Sequence, residues 1–296
     1  MKKTNNLLLV TALLAFVTFV VSSCTKNGST ENPLGQQTVS LYLTDAPVAY
    51  DQVLIDIKSV KVLVDTSKNT RNSDSCDFNR MGDDDHRGRP KPAGDSMLVW
   101  QDLNVSAGVY DILKLRNGVD TLLANKTVIN GKVRLIKIEF GTNNSVVVDS
   151  VSYPLNIPVN AEGYVLIKLK GHEMEEYLPR KHRLWLDFDL GRSIVKERNG
   201  VYYLRPFFKY FVEKQSASIS GKIIPFNASP LITVYGEGDT AYAIPNPDGR
   251  FKLRGLKDGI YSVEIKGHNG YIGKTITGVV VAKPKETELG PITLVK

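Results

Sequence analysis

Through much of this chain apolar residues recur at every second position, the period of a strand with one buried face. Val39, Leu41 and Leu43 open the series, and Thr44-Asp45-Ala46-Pro47 closes that strand with a turn. Val53, Ile55 and Ile57 continue it, followed by Val60, Val62 and Val64. The parity changes between Ile57 and Val60, which predicts a bulge near Lys58-Ser59. Leu184, Leu186, Phe188 and Leu190 alternate against Asp187 and Asp189. Residues 201–212 are aromatic on both faces, as in a strand deep in a sheet or against a second domain. Between these lie runs at 97–100, 132–140, 145–149 and 164–170, while the run from Tyr110 stops at Gly118. Residues 119–124 are the best candidate for a short helical turn. Pro154 and Pro158 make 149–158 an edge strand or a connection.

A polar Glu213-Lys214-Gln215-Ser216 run separates this series from a second, with strands expected at 219–224, 231–235, 241–244, 250–253, 255–263, 279–282 and 292–295. Asn246-Pro247-Asp248-Gly249 is a turn, with Pro and Gly where turn geometry wants them. Short strands at regular spacing with little helix argue for sandwiches. The expected fold class is therefore all-β, with two β-sandwich domains in tandem. The first spans residues 38–213 with a long loop at 65–96, and the second spans 217–296.

The amino terminus changes the picture of where the chain resides. Lys2-Lys3 precede an apolar run from Leu7 to Val21, and small residues lead to Cys24. A positive start, a short apolar core and small residues before a cut make a secretory signal. Its length falls short of a membrane span of about twenty residues. With a Cys at the cut, the segment resembles a bacterial lipoprotein signal, which implies removal of residues 1–23 and lipid on Cys24. Several acyl chains hold a protein stably to a bilayer. Residues 24–37 are polar and turn-rich and read as a flexible tether. Thr25 beside the lipidated Cys resembles sorting to the outer membrane, with the periplasmic or surface face left open. The formal charge of +7, from 38 basic and 31 acidic side chains, falls to +5 when Lys2 and Lys3 leave with the leader. That mild, dispersed excess argues against nucleic acid as a partner. Cys76 is the only other cysteine, so no disulfide framework is expected.

Candidate chemistry is sparse. The 65–96 loop holds Asp83, Asp84 and Asp85 beside His86, the only candidate metal ligands. They lack the spaced order and distal Glu of a calcium loop, and nearby arginines neutralise them. The loop reads as a mobile, solvated hairpin tip, and no metal or other cofactor is expected. The four histidines are scattered, and no nucleophile elbow, phosphate loop or dinucleotide fingerprint occurs. Asp187 and Asp189 project from one strand face about 7 Å apart, a separation compatible with an inverting glycosidase pair. The competing reading is an ordinary solvent face, with Lys168 or Lys170 as cross-strand partners. Exposed aromatics such as Tyr42, Trp100 or Tyr271 on one concave face would point to glycan binding.

Two resemblances complete the reading. Residues 39–212 resemble a family of bacterial envelope lipoproteins of unknown function. The match rests on Thr44-Asp45-Ala46-Pro47, on 112–118, on Leu186-Asp187-Phe188-Asp189-Leu190 ahead of Ser193-Ile194, and on Leu204-Arg205-Pro206. Residues Asp248 to Phe251 and Gly255 to Val263 resemble carboxypeptidase regulatory-like domains, which implies an immunoglobulin- or transthyretin-like, seven-stranded second sandwich that is a spacer or binding module. The expectation is a non-catalytic envelope lipoprotein with a binding or structural, adhesive role. Its partners are the membrane, through the lipid anchor, and an envelope glycan or protein. An accessory subunit of a surface glycan- or protein-handling complex comes second, and a carbohydrate-active enzyme third.

Overall fold

The alternating runs become strands, and side-chain parity decides which face of each strand is buried. The computed structural model describes residues 35–46, 50–67, 98–159, 161–170 and 173–296, all inside one compact unit, Asn32–Lys296. The leader, Cys24, most of the tether, Pro47, Cys76, Asp83, Asp84, Asp85, His86 and His172 lie outside the described residues. Among the described residues no helix is long and apolar enough to cross a membrane.

Two sheets make the first sandwich. The first is five-stranded, in the order β10 (Glu175–Leu178), β11 (Lys181–Asp189), β1 (Gln36–Ala46), β5 (Thr121–Ile129), with β14 (Phe208–Phe211) added on β11. Its centre is the parallel pair β1–β11, which sets Leu41 beside Leu184 and Leu43 beside Leu186. The second has nine strands. Its long axis is β2 (Gln52–Asp65), which receives β3 (Leu98–Asp102), β4 (Gly108–Asp111), β6 (Lys132–Phe140) and β7 (Ser145–Val148). β8 (Val151–Asn156), β9 (Tyr164–Lys168), β12 (Ile194–Lys196) and β13 (Tyr202–Leu204) complete it. Val39, Leu41, Leu43, Ile55, Ile57, Val60, Val62, Ile136, Ile138, Leu186 and Phe188 are buried between the sheets. The register shifts between Ile57 and Ser59, the bulge that the parity change predicts.

Three local expectations change and a fourth holds in part. β1 runs through Thr44-Asp45-Ala46, because pairing with β11 continues to Asp189. Residues 121–124 open strand β5 on the edge of β1 and form no helical turn; the nearby 3-10 turn is Ile112–Leu115. β8 is an edge in part: among the described residues, 151–154 pair with β7 alone, and β13 joins the other side only at Leu155 and Asn156. Its pairing with β13 begins at Leu155, after Pro154, so the amide that proline lacks is not needed there. Residues 201–212 form two strands in different sheets, since Arg205-Pro206-Phe207 carries the chain from β13 across to β14.

The second sandwich has seven strands. One sheet is β18 (Arg250–Leu256), β15 (Ala217–Ile224), β21 (Glu286–Thr293); the other is β17 (Asp239–Ala243), β16 (Leu231–Gly236), β19 (Gly259–Lys266), β20 (Lys274–Val281). Its core of Ile219, Ile223, Val234, Phe251, Tyr261, Val263 and Ile292 shares no member with the first core.

Candidate functional site

The β1–β11 register gathers the acidic residues of two distant sequence segments. Thr44 stands opposite Asp187, Asp45 opposite Phe188 and Ala46 opposite Asp189. Asp45 has the parity of Leu41 and Leu43 and is therefore carried to the buried side, where it is 6% exposed. Neither of its carboxylate oxygens has a hydrogen-bond partner among the described residues. Burial pushes its pKa well above the ordinary carboxylate range; Asp187 and Asp189 push it the same way, and Arg116 opposes them.

The two aspartates of β11 have separate surroundings. Asp189 ends the strand and caps α1 (Leu190–Ser193), accepting from the Arg192 amide at 3.1 Å and facing the Arg192 guanidinium at 3.5 Å. Such a cap satisfies one of the orphan amides of the first turn. Asp187 stands opposite Lys209 of β14. It lines a recess of about 30 Å³ with Thr44, Phe211, Tyr242 and Arg254. That is space for a water; a second, more open recess of about 180 Å³, lined by Phe211, Glu213, Lys252, Arg254 and Glu286, adjoins it. Lys168 is not a cross-strand neighbour of these aspartates: β9 belongs to the other sheet, where Lys168 is in register with Leu135, and Lys170 lies beyond its end. Local alternation cannot reveal which sheet a strand joins.

The recess lies where the two sandwiches meet, and Arg254 of β18 is its hub. Arg254 Nη1 donates to Asp120 Oδ2 at 2.9 Å and lies 3.6 Å from Glu213. Its Nη2 is 3.4 Å from the Thr44 hydroxyl, and its guanidinium sits 5.6 Å above the Phe211 ring. Asp120 Oδ2 also accepts from the Trp185 indole at 2.9 Å. Asn117 donates to the Ile244 carbonyl at 2.7 Å and to Asn246 at 2.8 Å. Gly118 follows with a φ of +80°, and a Cβ there would come within 3.1 Å of the Lys252 side chain. The Asn117-Gly118 turn is thus pressed against β18. Behind it Tyr42, Trp185 and Phe211 form a ladder, with ring centroids 4.9 and 6.0 Å apart.

The three aromatics proposed as a glycan face do not converge. Tyr42 is stacked on Trp185 in the five-stranded sheet. Trp100 lies on β3 opposite Leu63 of the other sheet. Tyr271 packs against the second core. Among the described residues no three His, Cys, Asp or Glu side chains form a metal-holding group. Sequence reasoning missed Asp45, Asp120 and Arg254. For Asp45 the signal was present, since continuing the parity of Val39, Leu41 and Leu43 puts it inside. For Asp120 and Arg254 there was none, because their pairing is long-range.

Residues 36–206, more than half of the chain, match the family model described as Domain of unknown function (DUF4382). A search of curated proteins gives no match. Among solved structures, a type II cohesin–X-dockerin complex from Acetivibrio cellulolyticus aligns at 26% identity and a TM-score of 0.22, over 26% of this chain and 56% of that one. The chain thus spans little more than half of that relative. The shaft pilin SpaA of Lactobacillus rhamnosus GG aligns at 10% identity and a TM-score of 0.23, over 88% of this chain and 98% of that one. The minor pilin GBS52 of Streptococcus agalactiae aligns at 10% identity and 0.21, over 87% and 96%.

Proposed function

This chain belongs to the DUF4382 family, and we propose that it is a non-catalytic binding or structural protein of the cell envelope, tethered to the outer membrane through lipid on Cys24. Residues 38–213 form the family domain and 217–296 a carboxypeptidase regulatory-like module that extends it. The observation that carries this reading is what the polar groups at the junction do. Arg254, Asp120, Asn117 and the Trp185 indole are engaged with one another or with backbone across the two sandwiches. Side chains paired across the junction in this way hold two bodies in one orientation, which is a structural task. Two sandwiches joined in this way on a flexible tether suit the presentation of a surface at the membrane.

The test has three arms. Cys24→Ala is expected to release the protein from membranes or leave it unprocessed, and unchanged attachment at normal size overturns the anchor. Crosslinked pull-down of the mature protein from envelope fractions, beside a glycan array, identifies the partner. A glycan-hydrolysing activity lost in Asp187→Asn at unaltered melting temperature would overturn the non-catalytic reading.

A further inference from the structure

Three segments of the second sandwich converge at one of its ends and leave large apolar side chains in solvent. The Leu294 amide donates to the Ile224 carbonyl at 2.8 Å, the Ile272 amide to the Val295 carbonyl at 2.7 Å, and the His268 amide to the Ala228 carbonyl at 2.9 Å. The Asn269 side chain donates to the Asn227 carbonyl at 2.8 Å. These bonds lock the 3-10 turn Phe226–Ala228, the loop between β19 and β20 and the segment after β21 into one rim. On it Phe226 is 66% exposed, Ile272 62%, Val295 62% and Ile224 40%. Isolated exposed apolar residues need no explanation, but four on adjoining segments do.

The segments that build this rim are basic, and the nearest acid in sequence is Glu264, in register with Thr275. Residues 217–236, 265–285 and 289–296 contain no acidic side chain, although the chain as a whole is nearly balanced. Lys274, His268 and Lys296 are exposed beside the apolar residues. Neither Lys274 nor Lys296 makes an ion pair among the described residues, and Lys296 lies over the Tyr271 ring at 4.8 Å. A partner that fits must accept apolar side chains and present negative charge around them. A bilayer with anionic headgroups does both, since apolar side chains enter the acyl boundary while the cations stay among the phosphates.

We propose that the rim formed by Phe226, Ile272, Val295 and Lys274 is a membrane-docking surface for anionic lipid. It does not depend on the Cys24 anchor and gives the chain a second point of attachment.

The test uses the full chain carrying Phe226→Trp, compared with Val109→Trp on exposed β4 of the first sandwich, on vesicles of phosphatidylglycerol and phosphatidylcholine brominated in their acyl chains. Circular dichroism checks that both variants keep the β-fold. After subtraction of the parent chain's emission, which comes from Trp100 and Trp185, the Trp introduced at 226 is expected to blue-shift and to be quenched in the anionic vesicles, with the Trp at 109 unaffected. Ile272→Ser in the 226 variant is expected to reduce that quenching. Sedimentation with pure phosphatidylcholine vesicles reports the anchor alone, so the two readings fail separately. No quenching at 226 in anionic vesicles, whether or not the chain sediments with them, overturns the proposal. Equal quenching at 226 and 109 also overturns it, as does a blue shift at 226 that grows with protein concentration without lipid, which would assign the rim to a second copy of the chain.

Discussion

Arg254 of the second sandwich and Asp120 of the first meet at 2.9 Å through an oxygen that the Trp185 indole also reaches at 2.9 Å. One carboxylate oxygen therefore couples a strand of one core to a strand of the other. The Arg254 side chain is well buried at this contact, so solvent screens it less than a surface pair.

Arg254→Ala is expected to lower stability by about 1.5–3 kcal/mol, the range for hydrogen bonds to charged groups. The larger effect is on cooperativity. With the junction intact the two sandwiches should melt together; without Arg254, calorimetry should resolve two transitions. A single unshifted transition in Arg254→Ala would show that the junction is held by something else. Asp120→Asn keeps an acceptor for Trp185 and is expected to be milder.

The buried pair Arg134–Asp65 offers a second measurement. Arg134 Nη2 and Nε lie 3.0 and 3.1 Å from Asp65 Oδ2, with both side chains nearly inaccessible. Burial alone would raise the pKa of Asp65, but the Ser67 amide and hydroxyl and the Arg134 guanidinium outweigh it and hold it below the ordinary range. A carboxylate depressed in the folded state adds stability that is present above its unfolded pKa and is lost as pH falls through the folded one. Arg134→Met is expected to cost about 3–5 kcal/mol at neutral pH, because it strands a buried charge. Arg134→Met with Asp65→Leu should cost less. Urea melts of the single and double variants decide, and a double variant worse than the single one counts against this account.

Several features of the fold were legible because they are local. The bulge after Ile57 follows from parity alone, as do the buried faces of β1 and β11. Others depend on which strand pairs with which. The Thr44–Ala46 segment has turn-forming residues, yet it is held extended by β11, a strand about 140 residues away. Lys168 carries the same alternation as Asp187 but belongs to the opposite sheet. Aromatics on both faces of 201–212 hid a crossover at Pro206, because Phe208 stacks on Phe188 in one sheet while Tyr202 meets Tyr153 in the other. Arg254 looks like any solvent-facing residue of an amphipathic strand until the first sandwich is placed against it.

The separateness of the two cores gives a third expected outcome. No residue before Ala217 belongs to the second core. Phe208 is stacked on Phe188 at 4.4 Å and Phe211 on Trp185 at 6.0 Å, both partners in the first sandwich. Residues 217–296 expressed alone should therefore fold, with β-type circular dichroism and a cooperative melt. Phe211 also approaches Gly255, where a Cβ would come within 3.0 Å of the ring, so the isolated module should be somewhat less stable than it is in the chain. Failure to fold would mean that the contact with Phe211 is required for the second core to form.

Asp45 gives the sharpest pH signature. Its carboxyl is buried, without a hydrogen-bond partner among the described residues, and repelled by Asp187 and Asp189, so its folded pKa is raised well above the usual value. The sign is opposite to that of Asp65. In the unfolded chain Asp45 ionises near 3.9. Between that value and the raised folded pKa the folded state holds a proton that the unfolded state has lost, so stability falls as pH rises, by at most about 1.4 kcal/mol per pH unit. Above the folded pKa the loss is complete and levels off. Asp45→Asn cannot ionise and abolishes this decline. Urea melts from pH 4 to pH 8 should therefore find the variant close to the parent at the acid end and more stable at the alkaline end. A difference that does not change with pH would show that the Asp45 carboxyl has a partner when ionised. The same variant in the fractionation and pull-down assays then shows whether this carboxyl is retained for binding. If it stabilises the fold and abolishes partner capture, Asp45 belongs to a recognition site; if capture is unchanged, its place in the Thr-Asp-Ala-Pro segment is structural.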